Sequence, residues 1–136
     1  MRFICNNQQS IPIIFTARRG RVFLKLACLS VGNDFVVTLS GGDREHIGAV
    51  AVGQAQANNV RDSETVNIIT NVIAIPEHRE DELAKSIACL LATRLSTVVC
   101  VVCGIHLEQI SKPELKDVME MSEEMAINLI TQITTH

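Results

Sequence analysis

Three of the four histidines in this chain occupy the same kind of position. Imidazole is the side chain best suited to proton and metal chemistry near neutral pH. His46 follows the third predicted strand, His78 follows a strand predicted over Thr65–Ile75, and His106 follows one predicted over Thr97–Cys103. Asp43, Arg44, Arg79 and Glu80 stand close to them in sequence. If those strands share a direction, all these groups converge at one end of a sheet, where the carboxyl ends of parallel strands gather sites. Three readings compete. His46, His78 and His106 could hold zinc with water in a fourth place, although no HxH or HxxxH pair sets two ligands on one element. A histidine beside an acid could do general acid–base work, which would make the chain a small enzyme. Alternatively, His, Arg and Asp order the loops or bind an anion. The helix start after His78 is then a natural phosphate seat, provided Arg44 or Arg79 offsets Glu80, Asp81 and Glu82. Nucleophilic and nucleotide chemistry have little support, because GxSxG, GxGxxG and P-loop patterns are lacking and no cysteine stands on a polar loop. The terminal His136 is assigned no role.

The element that must position these groups is Leu39–Val52, LSGGDREHIGAVAV. It leaves a strand, turns on Gly41 and Gly42, presents Asp43 to His46 in a tight polar loop, and enters a strand predicted over Ile47–Gln54. Gly48, Ala49 and Ala51 keep that strand slim, as a close neighbour, backbone or ligand would require. Upstream, strands are predicted over Ile11–Ala17, Val22–Ser30 and Phe35–Leu39, with turns at Arg18–Arg21 and Gly32–Asp34. Such short spacing favours antiparallel hairpins. Ala55–Glu64 reads as a loop, and Pro76 stops the Thr65–Ile75 strand.

Downstream, Leu83, Ile87, Leu90, Leu91 and Leu95 recur at helical spacing behind acids suited to a helix N-terminus. The strand, helix, strand passage suits a right-handed crossover between parallel strands. Ser111, Pro113 and Glu114 form a capping-box pattern for a last helix running to about Thr131. Leu115, Val118, Met119, Met125, Leu129, Ile130 and Ile133 give that helix an apolar stripe, suited to core packing first and to a homodimer second. Acids on its opposite face read as a solvated surface. The expected fold class is α+β: a largely antiparallel sheet with two long amphipathic helices packed on one side. One domain over 1–136 is expected, with residues 1–10 as a frayed extension.

Composition narrows the partners. The chain has 136 residues, 47% of them hydrophobic, enough for a core without staples. No apolar run reaches the roughly 18 residues of a membrane span, and the start lacks a signal-peptide pattern, so a cytoplasmic protein is expected, with no membrane partner. The first 32 residues hold five bases and no acid, whereas the rest holds seven bases and fifteen acids. That basic start suits a small phosphorylated ligand or an acidic protein. Nucleic acid is not expected, since Trp and Tyr are absent and four Phe form no stacking platform. Five cysteines in an unsecreted chain read as reduced core thiols. Cys100 and Cys103 have zinc-like spacing, but on a strand residues three apart point to opposite faces.

Three segments together resemble a known family: GGDREHIGAVAV at Gly41–Val52, PEHREDELA at Pro76–Ala84 and VVCGIHLEQIS at Val101–Ser111. In order and spacing they are similar to prenylated-flavin chaperone-like proteins. These include the D subunit of gallate-type hydroxyarylic-acid decarboxylases and are grouped with proteasome-assembly-chaperone-like folds. The resemblance covers the chain from about Val22. It implies a non-catalytic accessory protein that helps an aromatic-acid decarboxylase partner handle prenylated FMN transiently; a homodimer is expected alongside it. An assembly factor for a larger complex is a further alternative. The positions that match are Gly41, Gly42, Asp43, His46, Gly48, His78, Arg79, Glu80, Asp81, Gly104 and His106, and with Arg44 they form the candidate ligand-binding set. Glu77 departs from the family pattern, which favours a glycine there.

Overall fold

A computed structural model describes residues 12–57, 66–76 and 80–135. The expected N-terminal extension over residues 1–10 lies outside the described residues, as do residues 58–65 of the expected loop. Six strands and two helices follow in the order β1 (Ile13–Arg19), β2 (Val22–Val31), β3 (Asp34–Gly42), β4 (Arg44–Ala57), β5 (Val66–Ala74), α1 (Asp81–Leu95), β6 (Val98–His106) and α2 (Lys112–Thr134). The strands form one mixed, mostly antiparallel sheet in the order β1-β2-β3-β6-β4-β5.

β1, β2 and β3 make the expected antiparallel meander. The expected β3–β4 hairpin does not form. Instead β6, the last strand in the chain, slots between them, parallel to β3 and antiparallel to β4. A strand that reads TVVCVVC gains most from a central position, where neighbours cover its edges and its apolar side chains. The crossover expectation holds for direction and fails for adjacency. β5 and β6 both run antiparallel to β4, so they point the same way with β4 between them.

One face of the sheet carries the core. The register Leu26, Leu39, Cys103, Ala49 crosses four strands, and all four residues are fully buried. α1 lies on this face against β4, β5 and β6, α2 lies against β1 and β2, and the helices touch each other. Small residues set the depth of α1: a Cβ at Gly53 would collide with the Ala88 carbonyl. Leu83, Ile87, Leu91 and Leu95 are buried as expected, whereas Leu90 is only partly covered. On α2 the stripe from Val118 to Ile133 packs into the core. Leu115 and Met119 do not belong to it. They are 52% and 43% exposed, and both lie in the first two turns of the helix.

The α2 capping box is present. Ser111 Oγ accepts from the Glu114 N–H, and Glu114 accepts from the Ser111 N–H. The acids of α2 are not simply a solvated face. Arg19 spans Asp117, Glu120 and Glu124 at 3.4, 2.9 and 3.0 Å, and Arg21 grips Glu114. Much of the basic start of the chain therefore meets its acidic partner within the same molecule. Arg21, and then the Ser111 N–H, hold the Glu114 carboxyl down at about 2. A depressed carboxyl contributes stability above its ordinary pKa and loses it as pH falls through the folded value. The stability gap between the native chain and Glu114→Gln should therefore be full above pH 5. It should close as pH falls from about 4.5 towards 2, as read by urea unfolding at each pH.

Candidate ligand site at the carboxyl end of the sheet

The directions of β3, β5 and β6 decide whether the loops meet. β3 and β6 are parallel, and β5 shares their sense, so their carboxyl ends lie along one edge of the fold. His106 is the last residue of β6, and α1 starts beside Glu80 at the same end. His78 and Arg79 lie outside the described residues.

The predicted polar loop is mostly strand. Only Asp43 forms the turn, while Arg44, Glu45 and His46 already belong to β4. Gly42, at φ 76°, brings the chain so close to β6 that a Cβ would strike the His106 carbonyl. Beyond it β4 bulges. Between the pairs Glu45–Ile105 and Ala49–Cys103, β4 has three residues, His46, Ile47 and Gly48, and β6 has only Gly104. A bulge re-aims side chains, and this one aims His46 at α1. It is possible because Gly104 lacks a side chain: a Cβ there would fall on the His46 carbonyl. Gly48 provides the second gap, filled by the Glu80 carboxylate.

The result is a tight polar cluster. His46 Nε2 lies 3.0 Å from Glu80 Oε1, with the two side chains 16% and 12% exposed. His46 Nδ1 faces the Arg44 carbonyl at 3.4 Å. The His106 ring meets the His46 ring edge-on, 6.2 Å between centroids and 78° between planes. Its Nε2 lies 3.0 Å from Glu108 Oε1. Arg44 pairs across the strands with His106 and is exposed. The Asp43 N–H donates to the His106 carbonyl at 2.6 Å, and Asp43 Oδ2 accepts from the Glu108 N–H at 2.9 Å. Arg21 stands 3.6 Å from Asp43 and donates to the Glu108 carbonyl at 2.6 Å.

His46, His106, Glu80, Asp43, Arg44 and the glycines are thus brought to one end of the sheet. Among the described residues no three His, Cys, Asp or Glu side chains form a metal-binding group. The α1 N-terminus faces its own acids: Glu80 makes no side-chain cap and turns to His46, while Asp81 and Glu82 fill the first turn. Arg21 and Glu108 are the members that sequence reasoning missed. Arg21 read as a turn residue, and nothing local ties it to a strand end 85 residues away. The Cys100–Cys103 spacing resolves as expected, since Cys103 is buried among the helices' contacts while Cys100 pairs with Val36 and Val52 on the other face. Burial, reinforced by Glu80, pushes the Cys103 thiol up to about 12, and burial alone lifts Cys28 to about 11. Neither supplies a thiolate. In native protein at neutral pH both should resist iodoacetamide, and both should become alkylated once the chain is unfolded, as read by peptide mass spectrometry.

The family model for the prenylated flavin chaperone LpdD-like domain matches residues 18–134. The chain belongs to this family. The match runs from the end of β1 to the last turn of α2, so it covers β2 to α2, including the bulge, the α1 start and the β6 exit. Among solved structures, a chain of a chaperone complex for yeast 20S proteasome assembly is similar, with a TM-score of 0.62 and 12% identity over 93% of this chain and 98% of that one. That likeness shows that the LpdD-like fold is shared with a proteasome assembly chaperone. No curated protein sequence matches the chain. A chaperone or accessory role is therefore supported by the family.

Proposed function

We propose that the chain is a non-catalytic, cytoplasmic accessory protein that handles prenylated FMN for an aromatic-acid decarboxylase and works as a homodimer. The observation that supports this reading most is the cluster of His46, Glu80 and His106, polar and braced on three elements, in a family described by its prenylated flavin. The donor set suits a flavin. Imidazole nitrogens and a carboxylate match the donors and acceptors on the polar edge of its ring system. Arg44, exposed and paired across the strands with His106, is a described cation suited to its phosphate. The α1 N-terminus does not serve that phosphate, because Glu80, Asp81 and Glu82 crowd it. The flavin itself, when bound, would supply the addition chemistry of the decarboxylase. This chain's residues hold and orient it. Gly41, Gly42 and Gly104 let backbone approach, Gly48 makes room for the Glu80 carboxylate, and His78 and Arg79 complete the proposed set from outside the described residues. Among the described residues no helix is long and apolar enough to cross a membrane.

With neither Trp nor Tyr in the chain, bound flavin dominates the near-UV and visible spectrum. Titration of oxidised and reduced prenylated FMN should give saturable binding that His46→Ala and Glu80→Gln weaken at least tenfold while circular dichroism is unchanged. Adding the protein should raise activity in a decarboxylase preparation limited for cofactor. No binding together with no effect on that preparation would overturn the reading. Activity on its own toward a small substrate, lost across a His46→Ala and His106→Ala series, would favour the enzyme instead.

A further inference from the structure

We infer that the sheet face opposite the helices is the surface on which a second copy of this chain packs. The inference rests on the homodimer proposed above and adds where the two copies meet. Both helices lie on one face, and among the described residues no element covers the other. An antiparallel sheet that faces water alternates apolar inward and polar outward, and this one does not. A single register row, Ile14, Ala27, Thr38, Val102, Val50 and Ile73, crosses all six strands of the uncovered face and holds five apolar residues and no charge. The next row, Leu29, Val36, Cys100, Val52 and Asn71, is also uncharged. Charge returns only at the margins, with Asp34 at the start of β3 and, towards the ligand site, with Arg18 and with Lys25 paired to Glu45. An uncharged apolar centre with charge at the margin is how interfaces are built.

Two features favour a second copy over a foreign partner. The patch has no charge pattern for another protein to read, and it meets itself without setting like charges opposite one another. Its size is also right. Strands of seven to fourteen residues, six abreast at about 4.8 Å, span roughly 900 Å², close to the roughly 800 Å² per partner of a stable interface. Face-to-face packing would give four layers with helices outermost and two sheets crossing at about 30°. The central strand, apolar on both faces, would then be buried on both. The ligand-site ends, where the charges lie, would stay at the rim of the sandwich.

The test is sedimentation of the full chain across micromolar concentrations, with alkylation of Cys100 as a local reporter. Expected are a species of twice the 14.9 kDa chain mass, protection of Cys100, and at least tenfold weaker association in both Thr38→Lys and Val50→Lys. Thr38 is already exposed, so its lysine leaves the core intact if Val50→Lys fails to fold. Leu115→Glu on α2 should change nothing. A dimer unmoved by the sheet variants, or broken by Leu115→Glu, overturns the location and leaves the homodimer standing. A monomer at every concentration overturns both.

Discussion

Gly104→Ala should lower the melting temperature by about 10 °C. The added methyl would sit on the His46 carbonyl, which is backbone and cannot rotate away. The only escape is to push the β4 bulge off β6, and these two strands pair at the centre of the sheet. Overpacking of this kind costs about 2–3 kcal/mol. For a domain of this size each kcal/mol moves the transition by roughly 3–5 °C. The loss should appear in thermal unfolding and, locally, in faster amide exchange from His46 to Ala49. A variant as stable as the parent would mean that the bulge is not held as described.

Gly48→Ala should do the opposite, with little harm to stability and large harm to the site. Its methyl would meet the Glu80 carboxylate, the free end of a flexible side chain, rather than backbone. Glu80 can swing out at modest cost, under about 1 kcal/mol, but it then leaves His46. The expected outcome is a melting temperature within a few degrees of the parent, a changed His46 imidazole ¹⁵N shift, and at least tenfold weaker flavin binding, equivalent to about 1.4 kcal/mol. The contrast between these two glycines separates a backbone requirement from a side-chain one. Both were candidate positions on sequence grounds, and only the identity of the neighbouring atom tells them apart.

Local patterning carried much of the fold. The apolar period of α1, the capping box of α2, the β-branched run of β6 and the turns around Gly20 and Gly32 all depend on residues within a few positions of one another, and their elements stand where the pattern put them. Convergence of His46 and His106 was also anticipated, because both sit at strand ends and the strand directions agree. What the chain's order concealed is the insertion of β6 between β3 and β4. That choice pits the hairpin, with its low loop-closure cost, against burial of the most apolar strand at the centre, and it is settled only when all strands are present together. From it follow the bulge opposite Gly104, the aim of His46 at Glu80, and the use of Arg19 and Arg21 as clamps on α2 rather than as a basic patch for an outside anion. Residue types thus announced which groups were available for chemistry, through periodicities of two and 3.6 that any short window contains. Which of those groups touch was decided by contacts between segments more than thirty residues apart.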